Sequence, residues 1–257
     1  MLILVPPSET KTRPTADDAP TVSYGSFAGT SLVKDRRTML AAAQRTATGA
    51  RAADRLGAPP SAPELVTRMA HLDTEPAGAP LEVYSGVLYD ALGTISVPED
   101  ARLLITSALG GVVDAALDTI PAYRLSASSD VSRLGKVSAW WKPRLEATAR
   151  SLTAASSVIV DCRSGAYTQM MPLVGNKVMR VGAVAVRDGR RSVVSHDAKR
   201  YRGLVARALL EEPVRARTAD EVVDQLRASL SPGLDVEFER GARTHTLTVV
   251  DTWSAER

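Results

Sequence analysis

Hydrophobic and polar positions along the chain fall into short runs of two kinds. Apolar runs bounded by turn residues predict buried strands at 1–5, 102–107 and 157–162. Apolar residues spaced three and four apart predict helices at 31–56, 136–154 and 196–210. Two capping-box patterns, Ser61 to Glu64 and Thr218 to Glu221, each predict the start of a further helix.

The C-terminal third has the clearest pattern. Apolar residues alternate from Val178 to Val186, and the following Asp188-Gly189 pair predicts a hairpin that returns through 191–195. After the helix that begins at Thr218, residues 234–239 and 244–250 predict a closing pair of strands. Strands and helices that mix without regular βαβ spacing favour a single α+β domain over 1–257.

Composition narrows the classes of protein. The 257 residues are 44% hydrophobic and 24% charged, which excludes a disordered chain. No apolar run reaches the roughly 20 residues that span a bilayer, and the short apolar start has no basic lead-in, so we expect no signal peptide, no membrane partner and a cytoplasmic location. A single cysteine, Cys162, and three histidines lead us to expect no disulfide, no metal site and no cofactor.

Positive charge is concentrated in two windows. Residues 187–207 contain seven Lys or Arg against two Asp, and residues 34–55 contain six against two. Such windows neutralise nucleic-acid phosphates in some proteins and are solvated helix faces in others. If the first window binds nucleic acid, its backbone contacts are Arg187, Arg190, Arg191 and Arg200.

Polar side chains follow several predicted strands at the point where each strand ends, and we expect these strand-end loops to border one positively charged pocket. A helix start with Lys199 and Arg202 three residues apart favours an anion there. The paired glycines Gly110-Gly111 predict the close approach of a ligand or of another strand. The predicted ligand contacts are Ser8, Lys11, Tyr89, Ser107, Tyr123, Arg124, Arg163, Ser164, Tyr167, His196, Lys199 and Arg202.

Seven motifs occur in order along nearly the whole chain. They are VPPSETK at 5–11, YSGVLYDAL at 84–92, SALGGVV at 107–113, IPAYRLS at 120–126, WKP at 141–143, VDCRSGAY at 160–167 and SHDAKRYRGLVAR at 195–207. Together they resemble the peroxide stress protein YaaA family, in the form carried by actinobacteria and other Gram-positive bacteria.

Three positions depart from that family's pattern. Thr10 replaces a glycine of the opening loop, Gly110 stands where the family usually has an aromatic residue, and Asp114-Ala115 replaces an Arg-Pro pair. Losing an aromatic residue and an arginine beside the predicted pocket favours a divergent paralogue with a changed ligand.

The resemblance implies a single compact α+β domain whose mixed sheet is surrounded by helices, with a cationic cleft and a helix-hairpin-helix-like element near 39–72. It also implies binding to double-stranded DNA and protection against peroxide- and iron-driven damage. The alternative is a divergent enzyme that acts on a nucleoside, a nucleotide or a related phosphate- or nucleobase-containing molecule in the same cleft. Its catalytic candidates are Ser8, Lys11, Tyr167 and Lys199. Iron sequestration by the chain itself is disfavoured, because no ligand cluster has metal-binding spacing.

Overall fold

The computed structural model describes residues 1–15, 19–27, 30–187, 189–194 and 197–252. Within these residues the strands are β1 (Leu2–Val5), β2 (Ser23–Tyr24), β3 (Ala77–Gly78), β4 (Arg102–Ser107), β5 (Gly111–Asp114), β6 (Asp118–Pro121), β7 (Asp130–Val131), β8 (Gly135–Lys136), β9 (Ile159–Asp161), β10 (Val178–Arg187), β11 (Arg190–Val193), β12 (Leu234–Glu239) and β13 (His245–Asp251). The helices are α1 (Leu32–Ala47), α2 (Ala52–Leu56), α3 (Glu64–Ala70), α4 (Pro80–Val83), α5 (Val87–Leu92), α6 (Val137–Arg144), α7 (Glu146–Ala155), α8 (Gly165–Met170), α9 (Ala198–Glu211) and α10 (Ala219–Ser229).

The main sheet has the strand order β12-β13-β10-β9-β1-β4-β5, and β11 pairs with part of β10. The five strands from β13 to β4 run parallel, whereas β12, β11 and β5 pair antiparallel. Strands that are covered on both faces are apolar along their whole length, and all four residues of β1 are buried. This mixed sheet with surrounding helices confirms the α+β fold that the sequence predicts.

The parallel order determines where polar loops meet. β1 lies between β4 and β9, so Val5, Ser107 and Asp161 end their strands at the same edge of the sheet. Ligands of open parallel sheets bind outside the carboxyl ends of the strands. The loops that follow these three strands therefore lie side by side, although 154 residues of sequence separate Ser8 from Cys162.

Helix boundaries differ from the predicted ones where the backbone turns. The single helix predicted over 31–56 is wrong, because the chain leaves α1 after Ala47 and passes through Arg51 at φ +57° before α2 begins. The helix predicted over 136–154 divides at Leu145, two residues after Pro143, whose ring nitrogen has no hydrogen to donate.

The two predicted capping boxes have different outcomes. Thr218 caps α10 as expected, with its hydroxyl accepting a hydrogen bond from the backbone N–H of Glu221 at 3.3 Å. Ser61 caps nothing, since α3 begins after Pro63 and has no side-chain cap. The segment 39–72, in which the resemblance implies a helix-hairpin-helix-like element, contains the end of α1 together with α2 and α3. No helix of the described chain combines the length and the apolar character that a membrane span requires.

Candidate functional site

A cavity of about 520 Å³ opens at the carboxyl edge of the parallel strands. Its walls come from the loop after β1, the start of α5, the loop 126–128, the start of α8 and the first turns of α9. Six of the residues that the sequence singles out line it: Ser8, Tyr89, Ser164, Tyr167, Lys199 and Arg202. The tertiary structure thus brings together five segments that are distant in sequence.

Two cations give the cavity its charge. Lys199 and Arg202 both lie on the first turns of α9, and neither is within ion-pair distance of a carboxylate of the described chain. The Arg202 Nε donates a hydrogen bond to the carbonyl oxygen of Val181 at 3.3 Å, which leaves its terminal amino groups available. The one carboxylate of the lining, on Glu9, faces Arg124 at 3.4 Å. An anionic ligand matches this arrangement.

Hydroxyl groups cover much of the remaining wall. Tyr89 donates its hydroxyl hydrogen to the carbonyl oxygen of Pro6 at 2.9 Å and is therefore engaged. The hydroxyls of Ser85 and Ser164 make no hydrogen bond within the described part of the chain and remain free for a ligand. Burial raises the pKa of Tyr167, so its phenol stays protonated at neutral pH.

The predicted ligand contacts omit five polar residues of this lining, Glu9, Thr10, Ser85, Ser126 and Ser128. Ser126 and Ser128 contact each other through their hydroxyls at 2.9 Å, and they belong to a run of serines just after Arg124. That run is the signal that could have identified them, since small hydroxyl residues directly after a polar strand-end motif often contact ligands.

Lys11 lies directly behind the cavity wall. Its Nζ donates a hydrogen bond to the carbonyl oxygen of Ser8 at 2.6 Å, and it sits 4.1 Å from the ring centre of Tyr123 and 5.3 Å from that of Tyr84. Burial, reinforced by the nearby positive charge of Arg124, lowers the pKa of Lys11 to about 7.

The hydroxyls around this amine form a chain. The Tyr84 and Tyr123 hydroxyl oxygens are 2.8 Å apart, and the Ser107 hydroxyl is 3.1 Å from that of Tyr123. Burial raises the pKa of both tyrosines, that of Tyr123 to about 12, so both remain protonated. Ser107 and Tyr123 therefore belong to the support of Lys11 and do not line the cavity itself.

Arg163 occupies the core. Its side chain and that of Asp161 are both fully buried, and the Nε–Oδ1 and Nη2–Oδ2 distances are 2.7 Å. The remaining Nη1 donates to the carbonyl oxygen of Met171 at 2.9 Å. Arg163 thus ties the loop after β9 to the end of α8. His196, a further predicted contact, lies outside the described residues.

Gly110 and Gly111 are packed against aromatic side chains of the protein. A Cβ at Gly110 would lie 2.9 Å from the ring of Tyr24, and one at Gly111, where φ is +73°, would lie 2.7 Å from the ring of Trp141. Both rings approach this glycine pair closely, and Gly111 also begins β5, where it pairs with Ser107 of β4 as the predicted approach of another strand requires.

The departures at 110 and 114 lie away from the cavity. Asp114 is buried and bonds Arg102 through its carboxylate at 2.9 Å, and neither Gly110 nor Asp114 lines the cavity. The Tyr24 ring fills the space beside Gly110, and the guanidinium of Arg36 stacks on that ring at 4.5 Å. The predicted loss of an aromatic residue and an arginine beside the pocket therefore concerns positions that do not line this cavity.

The basic windows differ in how their charges are paired. Arg187 bonds Asp251 at 2.9 Å and Arg191 bonds Glu237 at 2.7 Å, whereas Arg190 and Arg200 have no ion pair within the described chain. On α1 the exposed cations are Lys34, Arg37 and Arg45, which line a shallow groove and likewise have no described carboxylate at ion-pair distance.

Comparison with known proteins gives consistent matches. A family model described as "Peroxide stress protein YaaA" matches residues 1–229. A UPF0246 protein of Corynebacterium efficiens is 39% identical over 258 residues, and one of Corynebacterium glutamicum strain R is 38% identical over 257; each match covers 97% of this chain and all of the relative. A UPF0246 protein of Streptomyces coelicolor is 32% identical, with 97% of this chain and 98% of the relative covered.

Proposed function

We propose, since the chain belongs to the peroxide stress protein YaaA family, that it acts in the response to peroxide stress by binding double-stranded DNA. The observation that supports DNA binding is the exposed face of α1, which carries Lys34, Arg37 and Arg45 without internal partners in the described chain. In this role the protein would cover DNA and protect it from peroxide- and iron-driven damage.

The geometry of α1 suits a phosphate backbone. Residues 34, 37, 41 and 45 fall on one side of a helix with 3.6 residues per turn, and Ala41 between the cations keeps the face open. Lys34 and Arg45 are separated by roughly 16 Å along the axis at 1.5 Å per residue. Free cations spread over that length can each displace a counterion from a phosphate.

The predicted arginine surface, which consists of Arg187 on β10, Arg190 and Arg191 on β11 and Arg200 on α9, is less favourable for phosphate. Arg187 and Arg191 already neutralise Asp251 and Glu237, so a phosphate would have to compete with an existing carboxylate partner. Only Arg190 and Arg200 of that predicted set are unpaired within the described residues. We therefore assign the principal phosphate contacts to α1 and keep the predicted arginine surface as the alternative.

A salt titration of duplex binding tests this assignment. The variant Lys34→Gln/Arg37→Gln/Arg45→Gln should weaken binding at low salt and reduce the slope of log K against log salt by about 2.7, because each phosphate contact contributes about 0.9. The matched control is Lys142→Gln/Arg180→Gln/Arg243→Gln, which removes the same charge from exposed positions elsewhere and should keep most of the slope.

Two outcomes contradict the proposal. Loss of binding in Arg190→Gln/Arg200→Gln, with binding retained in the α1 variant, would show that the predicted arginine surface, and not α1, binds DNA. Absence of duplex binding by the unmodified protein at low salt would exclude DNA as the partner.

The cavity supports a second candidate function, the binding or conversion of a phosphate-containing nucleoside derivative. The supporting observation is the pair Lys199 and Arg202, which face a space of about 520 Å³ with free hydroxyls beside them. Nucleotides or inorganic phosphate should then raise the melting temperature of the protein, and Lys199→Ala/Arg202→Ala should abolish that rise without unfolding the chain. An undiminished rise in this variant, with Lys142→Ala/Arg180→Ala as control, would contradict the candidate.

A further inference from the structure

Lys11 is a partly buried titratable group that neither candidate function uses. It follows β1 at the sheet edge where parallel strands end, and its amine is sandwiched between the Ser8 carbonyl and the faces of Tyr84 and Tyr123. No carboxylate lies within ion-pair distance of Lys11 in the described chain.

The charges around Lys11 oppose its protonation. Arg124 adds positive charge nearby, and the closest acidic influence, Glu9, is itself engaged with Arg124 at 3.4 Å. Withdrawal from water is the largest influence, and it disfavours the ammonium form. With a pKa of about 7, a large fraction of this amine carries a free electron pair at neutral pH.

We propose that Lys11 is a nucleophilic amine that condenses with an aldehyde or ketone bound in the cavity in front of Ser8. The inference deepens the second candidate function and rests on that cavity, not on the α1 surface. It adds that the ligand carries a carbonyl group, and the charge of Lys199 and Arg202 favours a carbonyl compound with an anionic group.

The proposed step balances without an oxidant or a metal. The Nζ electron pair attacks the carbonyl carbon and a C–N bond forms, while the carbonyl oxygen takes up a proton. The resulting carbinolamine then loses its hydroxyl with one further proton as water, which leaves a C=N double bond. Amine and carbonyl compound thus yield one Schiff base and one water.

The hydroxyl chain fits this role of the amine. Tyr84 and Tyr123 remain protonated because burial raises the pKa of each, so they place no negative charge beside Nζ that would hold it as an ammonium. The lysine stem has four rotatable bonds, and Nζ contacts the cavity wall at a single acceptor, the Ser8 carbonyl. Because Ser8 lines the cavity, Nζ lies one hydrogen bond from its wall.

Reductive trapping tests the proposal. The full-length protein is incubated at pH 7.4 with glyoxylate or acetaldehyde and sodium cyanoborohydride, and the adduct at each of the six lysines is quantified by peptide mass spectrometry. We expect Lys11 to react at least about tenfold faster than exposed Lys142, since a lysine with the ordinary pKa of about 10.4 is almost wholly protonated at this pH. Lys11→Met, which keeps an unbranched uncharged side chain and removes the nucleophile, should lose this adduct alone.

Reaction at Lys11 no faster than at Lys142, or only after denaturation, would overturn the proposal. The variant Lys199→Ala/Arg202→Ala separates this proposal from the function on which it rests. A Lys11 adduct without any phosphate-dependent rise in melting temperature would contradict the phosphate ligand and leave the reactive amine standing. A phosphate-dependent rise in melting temperature without a Lys11 adduct would support the phosphate ligand and contradict the reactive amine. Retention of the acetaldehyde adduct in that variant, with a slower glyoxylate reaction, would support both.

Discussion

Asp161 and Arg163 form a bidentate ion pair that is entirely withdrawn from solvent at the carboxyl end of β9. The pair fixes the loop from which Ser164 and Tyr167 reach the cavity, because Arg163 also donates to the carbonyl oxygen of Met171 beyond α8. Arg163, which the sequence predicts as a ligand contact, thus has a structural role beside the cavity.

Removing one partner of this pair should strongly destabilise the fold. Asp161→Ala leaves the guanidinium of Arg163 buried without its counter-charge, and we expect a loss of about 3–5 kcal/mol in the free energy of unfolding, measured by urea denaturation. Arg150→Ala, which removes an exposed pair with Glu146, should cost less than about 1 kcal/mol. Equal effects of the two substitutions would show that the buried pair does not hold the loop.

The stability of the protein should depend on pH through Lys11. Its pKa is about 7 in the folded state and 10.5 in the unfolded chain, so between these values the unfolded chain binds a proton that the folded protein does not. The free energy of unfolding should therefore rise with pH over this window, by at most about 1.4 kcal/mol per pH unit.

The variant Lys11→Met isolates this contribution from that of other groups. Urea denaturation at pH 7, 8 and 9 should show that the free energy of unfolding of the wild type rises with pH relative to that of Lys11→Met. The free energy of unfolding of Lys142→Met should run parallel to that of the wild type. Parallel curves for Lys11→Met would mean that the amine keeps its ordinary pKa in the folded protein.

A side chain at position 110 should conflict with Tyr24. A Cβ there would lie 2.9 Å from the Tyr24 ring and 2.8 Å from a methyl group of Val113, so Gly110→Ala should cost about 1–3 kcal/mol. In a Tyr24→Ala background the added cost should be smaller, since one of the two contacts is gone. Gly165→Ala, at a site with open space around it, is the control in thermal unfolding.

The hydroxyl of Thr218 should stabilise α10. It accepts a hydrogen bond from the Glu221 backbone N–H, and Thr218→Ala should lower the free energy of unfolding by about 1 kcal/mol. Thr218→Ser keeps the acceptor oxygen and should recover most of the loss in chemical denaturation. If Thr218→Ser is as unstable as Thr218→Ala, the methyl group and not the cap is responsible.

Local patterns in the sequence were sufficient for several elements. The continuous apolar runs at 2–5 and 102–107 predict β1 and β4. A strand that is buried on both faces is apolar along its length, so the sequence of the strand alone identifies it. The Thr218 cap also depends on residues three apart in the chain. The break between α1 and α2 was not predictable in the same way, since it requires φ +57° at Arg51, a conformation that no residue type in that stretch demands.

The sequence alone could not predict which of the candidate residues line the cavity and which are buried in the core. Strand-end position predicted that Ser8, Tyr167 and Arg202 border one cavity, and all three line it. The parallel pairing of β1 with β9 brings the loops of Ser8 and Tyr167 to one edge, and Arg202 reaches the cavity from α9. Sequence could not distinguish Arg163, whose charge is neutralised inside the core, from Arg202, whose charge faces the cavity. That distinction depends on which carboxylate lies within hydrogen-bond distance, and the folded chain alone sets such distances between groups remote in sequence.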